Sequence, residues 1–436
     1  MTREISVFQR KFWKNYNLQG EKYCVGNGFG IMKLRANRKQ ILTCLLLFMI
    51  AFFAYWATGE GHPSYYDYYV RLSDAFLHGR LYVIDNPSWL NELVPNPSGS
   101  GYYVVYPPLP AFLITPLVAL FGLDLNQTIV SVFIGAIAVV AAYFVAMDVL
   151  RKPDEGQNRS QQPPLWAAAL FGFGTIFWWL ASTGSVWLIA QVFSVLFLLS
   201  AIHEAFNKAR PMVIGLLVGA SFWCRLPTIL GILFFAGLII ARQPSQEWTV
   251  KIRVALKPLA LLTAGAGIFV AFDMAYNYVR FGIPFDVAYW MIPGILQEPW
   301  FHLGLFNLAY IPENLVPFLT GLPSFTTTAP FMIAPITGLA IWFTTPAFIF
   351  TLKSNFREAV TWSAWIAIFA IAFVIFTKGL SGWGFGYRYA VDFYPFLFVL
   401  AVRGMGRQLK WYHKLLIIMG IVVNFWGVIA FNKFPT

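Results

Sequence analysis

The chain has 436 residues, of which 58% are hydrophobic and 11% are charged, and this composition is too apolar for a soluble domain of that length. The formal net charge of +12 would suit a polyanionic partner, but the Lys and Arg residues concentrate in loops that we assign to the inner side of a membrane. The positive charge therefore indicates membrane topology, and we expect no nucleic-acid partner. The three cysteines, Cys24, Cys44 and Cys224, form no CxxC pair and the five histidines show no metal-ligand spacing, so we expect no metal. We also expect no cofactor.

Apolar runs recur along the whole chain, and about 20 such residues suffice for a membrane-spanning helix. Hydropathy and loop charge together predict an all-α polytopic membrane protein with about eleven transmembrane helices and further juxtamembrane helices on the outer side. The predicted spans are 40–57, 127–150, 165–181, 184–204, 211–223, 226–241, 258–277, 329–351, 358–377, 388–403 and 413–431.

Residues 1–39 form a polar lead that we assign to the inner side, and Met32, shortly before the first span, is a candidate for the physiological start. Residues 40–431 form a single transmembrane domain. Two regions of this domain, 58–126 and 278–328, are assigned to the outer side and are too long to be simple connections between spans. We expect the functional residues in these two outer loops, because binding and catalytic residues concentrate in long loops.

The first outer loop contains two apolar segments that are too short to span a membrane. From Tyr65 to Arg80, apolar residues recur at spacings of three and four, which predicts an amphipathic helix that lies on the membrane surface and ends at Gly79. The sequence Tyr-Pro-Pro-Leu-Pro at 106–110 then opens a second apolar stretch that runs to Phe121.

The order of these features is similar to that of the GT-C superfamily of lipid-linked-sugar-dependent transferases, in particular its protein O-mannosyltransferase and aminoarabinose transferase branch. YYDYYVRLSDAFLHGRLYV resembles the first outer loop of that family, and YPPLPAFLITPLVALFG resembles its HPPL or KPPL corner. WCRLPT resembles an LTKGP or LTRPT element, NYVRFGIPF an N-Y-x-R-F-G-x-P-F element and GYRYAVDFYPFLF an R-Y-x-x-D-x-x-P element. The resemblance covers roughly residues 40 to 403, but Tyr106 replaces the His or Lys before Pro-Pro, and a lone Asp67 replaces an Asp-Glu pair.

The resemblance implies an inverting glycosyltransferase that moves a sugar from a polyprenyl-phosphate donor to an acceptor on the outer face of the membrane. It also implies a bacterial plasma (inner) membrane, with the active site facing outward and 40–431 as the catalytic domain. The sugar and the acceptor, which is a lipid, a glycan or a protein, stay open. The alternatives are a glycolipid transporter or flippase and a structural subunit. A transporter should show internal repeats and polar residues at the membrane midplane, whereas here the polar residues concentrate in two outer loops.

Sugar transfer needs a base that takes the acceptor proton. The resemblance makes Asp67 the candidate catalytic base, because it precedes the predicted surface helix just outside the first span. The alternative is that Asp67 caps this helix or pairs with Arg71 at spacing i+4. Glu60 and Asp74 are the reserve candidates.

Sugar transfer also needs cations that stabilise the departing phosphate. The candidate substrate-binding residues are Arg71, Tyr106, Arg225, Arg280 and Arg388. A charge at Arg225, between two short apolar helices, is costly unless it is paired, and its partner is either a phosphate or a carboxylate such as Asp273. Arg388 suits bidentate recognition of phosphate, with anchoring to membrane lipids as the alternative. Arg280 and Lys378 are weaker candidates, because cations at span ends often reach the interface.

Overall fold

The computed structural model describes residues 38–151, 161–244, 247–379 and 384–434. The candidate start at Met32 and most of the polar lead lie outside the described residues. The residues that line the candidate site belong to one compact unit, Cys44–Thr436.

The described chain is mostly helical. Its α-helices are α1 Arg38–Thr58, α2 Tyr68–Leu77, α3 Leu109–Phe121, α4 Gln127–Val149, α5 Gln162–Phe173, α6 Phe177–Thr183, α7 Val186–Phe206, α8 Pro211–Phe222, α9 Ile232–Ala241, α10 Trp248–Phe281, α11 Tyr310–Thr320, α12 Ile341–Thr344, α13 Ala359–Phe376, α14 Tyr394–Met405 and α15 Trp411–Lys433. Its strands are β1 Leu93–Pro95, β2 Tyr102–Val104, β3 Ser324–Phe325 and β4 Met332–Ile333, and they form two separate antiparallel hairpins.

Six helices of the described chain, α1, α4, α7, α10, α13 and α15, are long and apolar enough to cross a membrane. The number rises to seven if α5 and α6, which meet at an angle of 56°, are counted as one bent span. These helices make the protein an integral membrane protein. The predicted count of about eleven spans is not confirmed.

The difference in count comes from segments where apolar sequence does not form one long helix. The predicted span 329–351 contains β4, α12 and the 3-10 helix Pro346–Lys353 instead. Proline removes a backbone donor and disfavours continued helix, and Pro335 and Pro346 both fall inside this segment. Hydropathy sums apolar character and does not register such breaks.

Two further predicted spans surround Arg225. They correspond to α8 and to a 3-10 turn, Leu226–Gly231, that leads into α9, and neither helix alone has span length. The predicted span 388–403 likewise begins as the 3-10 helix Arg388–Phe393 before α14. These breaks place Arg225 and Arg388 at helix starts.

A helix is present as α2, Tyr68–Leu77, within the segment 65–80 where the spacing predicted one, and its place on a membrane surface stays a prediction. Gly79 follows its end with a φ of 69°, a value that favours glycine. One face of α2 is buried, and the Phe76 ring stacks on Phe112 of α3 with ring centres 4.2 Å apart. Tyr68 and Val104 belong to the same buried apolar cluster, which therefore joins α2 to the β1–β2 hairpin beside the site.

A tight turn at Gly184 connects α6 to α7. Gly184 has a φ of 72°, and a Cβ atom there would lie 2.4 Å from the Thr128 Cα of α4. Its carbonyl accepts a hydrogen bond of 2.8 Å from Gln127 Nε2. Only glycine allows the backbone at 184 to lie this close to Thr128. The turn also places Thr183 and Ser185 on the wall of a large cavity.

Candidate functional site

A cavity of about 990 Å³ lies among residues that are widely separated in the sequence. Its charged wall residues, within the described chain, are three carboxylates and three cations: Glu60, Glu92, Asp286, Arg225, Lys378 and Arg388. Aromatic rings from Tyr65, Tyr66, Tyr106, Trp187, Tyr289, Trp290, Trp300 and Tyr389 line much of the remainder. A cavity of this size with a few convergent polar groups has the character of a small-molecule site.

The structure brings three of the predicted site residues together. Tyr106, Arg225 and Arg388 all line the cavity, although they lie on separate parts of the chain. Asp67, Arg71 and Arg280 are not among its lining residues.

Asp67 pairs with Arg71, which is the alternative that the sequence left open. Arg71 Nε donates to Asp67 Oδ1 at 2.8 Å, and Arg71 Nη1 also lies 3.6 Å from Asp85 Oδ2. Asp67 occupies the N-cap position of α2 without a side-chain capping bond. The reserve candidate Asp74 pairs with His78 and Arg80 at 3.6 and 3.7 Å. The catalytic role of Asp67 therefore stays a prediction that the cavity geometry does not support.

Arg225 forms a two-point ion pair with Asp392. Its Nε donates to Oδ1 at 3.2 Å and its Nη2 donates to Oδ2 at 2.7 Å. The Asp392 side chain is fully buried, and Gln191 Nε2 donates to the same Oδ1 at 3.1 Å. The prediction that Asp273 is the carboxylate partner of Arg225 is wrong, because Asp392 occupies that position and Asp273 accepts a hydrogen bond from Asn277 on its own helix. A buried carboxylate thus compensates the charge of Arg225.

Arg280 is a buried link between α10 and the hairpin, and it does not snorkel. Its Nη1 donates to the Val104 carbonyl at 2.8 Å, and its Nη2 donates to Asn277 Oδ1 at 2.7 Å. Its guanidinium also lies 3.8 Å from the ring centre of Tyr276. The hairpin strand that it holds leads directly to Tyr106.

Glu92 is a carboxylate on which three aromatic donors converge. The Tyr106 hydroxyl and Trp187 Nε1 both donate to Oε2, the latter at 3.0 Å. The Tyr289 hydroxyl donates to Oε1 at 3.3 Å. Burial first, and then the Glu92 charge, raise the pKa values of Tyr106 and Tyr289, so both phenols stay protonated donors.

Arg388 and Lys378 are cations that lack a carboxylate partner within ion-pair distance in the described part of the chain. The guanidinium of Arg388 lies 5.1 Å from the Tyr389 ring centre, and its Nε is buried without a hydrogen-bond partner among these residues. Lys378 Nζ lies 4.6 Å from the Tyr289 ring centre. The buried Nε of Arg388 and the half-buried ammonium of Lys378 are available to an anion that enters the cavity.

Two cavity carboxylates have raised pKa values. Burial raises the pKa of Glu60 above its ordinary value, while the charges of His62 and Lys433 lower it in part. Burial also raises the pKa of Asp286, which the Ala288 N–H and the Arg280 charge partly oppose. A half-buried carboxylate with a raised pKa beside a cavity is a candidate general base.

The described residues contain no group of three or more His, Cys, Asp or Glu side chains placed to hold a metal ion.

The sequence did not single out Glu92, Asp286 or Asp392 as functional residues, and it made Lys378 only a weaker candidate. Asp392 had a signal, since it lies four residues after Arg388 in the GYRYAVDFYPFLF segment. Glu92 had none, because a single acidic residue in a polar loop looks like a solvated side chain. Its aromatic donors come from three other parts of the chain.

No protein-family model matches this sequence, and no curated protein matches it significantly. Two solved structures from Archaeoglobus fulgidus align with 90% of the chain. One is the oligosaccharyltransferase AglB in complex with an inhibitory peptide and a dolichol-phosphate, at 13% identity and a TM-score of 0.46. The other is an oligosaccharyltransferase tethered to an acceptor peptide with the NVT sequon, at 12% identity and a TM-score of 0.44. This chain spans 56% of the length of the first structure and 55% of the second. Sequence identities and TM-scores this low carry no argument about the fold or function of this chain.

Proposed function

We propose that the protein is a GT-C-type glycosyltransferase that moves a sugar from a polyprenyl-phosphate donor to an acceptor at the outer face of a membrane. The observation that carries this proposal is one cavity in which cations without carboxylate partners, carboxylates with raised pKa values and aromatic rings lie together. The sequence resemblance to that superfamily supports it independently. The outward orientation rests on the distribution of Lys and Arg in the loops.

The phosphate of the donor binds to Arg388 and Lys378 in this proposal. Arg225 is already paired with Asp392, so its role is to hold the wall of the site. A phosphate that leaves the sugar gains charge during the reaction, and preset cations stabilise that charge more in the transition state than in the ground state.

The rest of the cavity wall suits the other two parts of the donor. Aromatic faces such as those of Tyr65 and Trp187 can stack on a sugar ring. A second sector of the wall is apolar and suits an isoprenoid chain; it contains Leu226, Ile229, Leu230, Val374 and Ile375.

Glu60 is the general base in this proposal, and Asp67 is the alternative that the sequence favours. Glu60 lines the cavity, whereas Asp67 pairs with Arg71 and does not. The carboxylate takes the proton of the acceptor hydroxyl or amine as the acceptor atom bonds to the anomeric carbon. The bond between that carbon and the phosphate oxygen breaks, and its electron pair leaves with the polyprenyl phosphate. This single displacement inverts the anomeric carbon.

The test uses purified protein in liposomes with candidate polyprenyl-phosphate sugars and candidate lipid, glycan and peptide acceptors, and it measures the acceptor-dependent release of polyprenyl phosphate. Glu60→Gln and Asp67→Asn form a matched pair, because each replaces a carboxylate by its amide. We expect Glu60→Gln to lower turnover about 10²–10⁴-fold and Asp67→Asn to have little effect. The reverse result would return the base to Asp67, and normal turnover of both variants would remove the general-base role from both residues.

The same liposomes distinguish the runner-up function. A flippase would move the intact glycolipid across the bilayer without cleaving it. Translocation of uncleaved donor by the wild-type protein would therefore contradict the transferase proposal.

A further inference from the structure

Six cavity-lining residues form a closed ring of contacts that includes one carboxylate, two cations and three aromatic side chains. In order, these residues are Glu92, Tyr289, Lys378, Tyr389, Arg388 and Trp187, and Trp187 contacts Glu92 again. Glu92 accepts hydrogen bonds from Tyr289 at 3.3 Å and from Trp187 at 3.0 Å.

The remaining contacts of the ring join cations to aromatic side chains, and Arg388 Nη2 also donates a hydrogen bond of 3.3 Å to the Tyr389 hydroxyl. Lys378 Nζ lies 4.6 Å from the ring centre of Tyr289 and 5.3 Å from that of Tyr389. Arg388 Cζ lies 5.1 Å from the ring centre of Tyr389 and 5.9 Å from that of Trp187. Lys378 therefore contacts Tyr289 and Arg388 contacts Trp187, the two aromatic side chains that donate to Glu92. Both cations also contact Tyr389.

We propose that Glu92 is a positioning residue that fixes Arg388 and Lys378 for binding the phosphate of a lipid-linked donor, acting through Trp187 and Tyr289. This inference rests on the proposed function, because the donor phosphate is the anion concerned. Glu92 does not touch the phosphate in this arrangement.

The first argument is orientation. Lys and Arg side chains have many rotamers, and the described residues give neither cation a carboxylate that would fix it. The aromatic faces supply the missing constraint, since a cation within about 6 Å of a ring centre is attracted to it. Two of these rings are themselves held at their polar ends by Glu92.

The second argument is charge. Glu92 has no Lys or Arg within ion-pair distance in the described chain, so its negative charge acts on its three aromatic donors. Hydrogen bonding to an anion polarises a phenol or indole and makes its face more negative, which strengthens its attraction for a cation. Glu92 thus holds the cations in place without neutralising them by direct contact, and they remain available to a phosphate.

The experiment measures the Kd of farnesyl phosphate, a soluble short-chain polyprenyl phosphate, for the detergent-solubilised protein by calorimetry. Glu92→Gln keeps the size of the side chain and removes its charge. Tyr289→Phe keeps the aromatic ring and removes the hydroxyl. We expect Glu92→Gln to weaken binding roughly threefold to thirtyfold, as loss of partly desolvated cation–π contacts predicts, and Tyr289→Phe to weaken it less.

Glu313→Gln is the matched control, because it removes an exposed carboxylate that is not among the lining residues. Its Kd should equal that of the wild type. A double-mutant cycle of Glu92→Gln with Arg388→Ala supplies the decisive readout, since a purely structural role of Glu92 gives additive effects. We expect Glu92→Gln to have a clearly smaller further effect once Arg388 is gone, because only the contact of Tyr289 with Lys378 then remains for Glu92 to act through.

Failure of the inference and failure of the proposed function give different results. If the wild type binds farnesyl phosphate and Arg388→Ala binds it measurably more weakly, but Glu92→Gln and Tyr289→Phe bind normally, the positioning role is overturned and the phosphate site stands. Additive effects in the cycle overturn the positioning role as well. If the wild type does not bind farnesyl phosphate at all, the phosphate site fails and the role of Glu92 fails with it.

Discussion

Arg225 on the cavity wall and the fully buried Asp392 behind it lie 167 residues apart in the sequence and meet as a two-point ion pair. The pair joins the break between α8 and α9 to the start of α14. Gln191 Nε2 extends the link, because it donates to Asp392 Oδ1 and also to the carbonyl of Arg388 at 2.9 Å. The backbone position of Arg388 is therefore connected to the ion pair.

Removal of the Asp392 carboxylate should be strongly destabilising. Asp392→Ala leaves the Arg225 charge without compensation, and loss of one member of a buried pair typically costs about 3–5 kcal/mol. Thermal unfolding in detergent measures the effect. The double variant Arg225→Met with Asp392→Leu should lose less stability, because it leaves no unpaired charge. A single variant as stable as the wild type would show that the pair does not stabilise the fold.

The acid limb of the pH–rate profile should reflect Glu60. A general base works in its deprotonated form, and burial raises the pKa of Glu60. As the pH is lowered, activity should therefore begin to fall at a higher pH than it would with an ordinary glutamate, whose pKa is about 4.3. Lys433→Gln removes a cation that lowers this pKa, so the acid limb should move to still higher pH. Lys414→Gln, near the opposite end of α15, is the control and should leave the limb in place. A Lys433→Gln profile that shifts to lower pH would contradict this assignment.

Arg388→Lys should not be silent. Lysine keeps the charge but loses the planar fork that matches a phosphate, and loss of such a transition-state contact typically costs about 2.7–4 kcal/mol. Initial rates at saturating donor measure the change in kcat. Arg403→Lys, on the distant end of α14 and paired with Glu358, serves as the control. Full turnover of Arg388→Lys would leave only the role of a lipid anchor for Arg388.

The two outer loops should face the same side of the membrane. Ser98→Cys and Glu313→Cys both replace exposed residues, one in each loop, and in a cysteine-free protein both should react with a membrane-impermeant thiol reagent added from outside. Lys208→Cys, assigned to the inner side, should react only after permeabilisation. Protection of one outer position and labelling of the other would invalidate the assigned topology.

Composition and local pattern were sufficient for several features of the protein. The apolar composition required a membrane, because no soluble domain of this length could bury so much apolar surface. The spacing of apolar residues before Gly79 predicted α2, since helix periodicity and a glycine end are local properties. The cost of a charge between apolar helices required a partner for Arg225.

Only the tertiary structure decided which groups meet. Asp392 and not Asp273 pairs with Arg225, and Glu92 gathers Tyr106, Trp187 and Tyr289 from three other parts of the chain. The number of full-length spans also depended on helix breaks, such as the one at 329–351, that hydropathy does not register. The physical reason is the same in each case. Periodicity and hydropathy depend on neighbours along the chain, whereas an ion pair or a cavity depends on how separated helices pack, and that packing is fixed by the free energy of the whole fold.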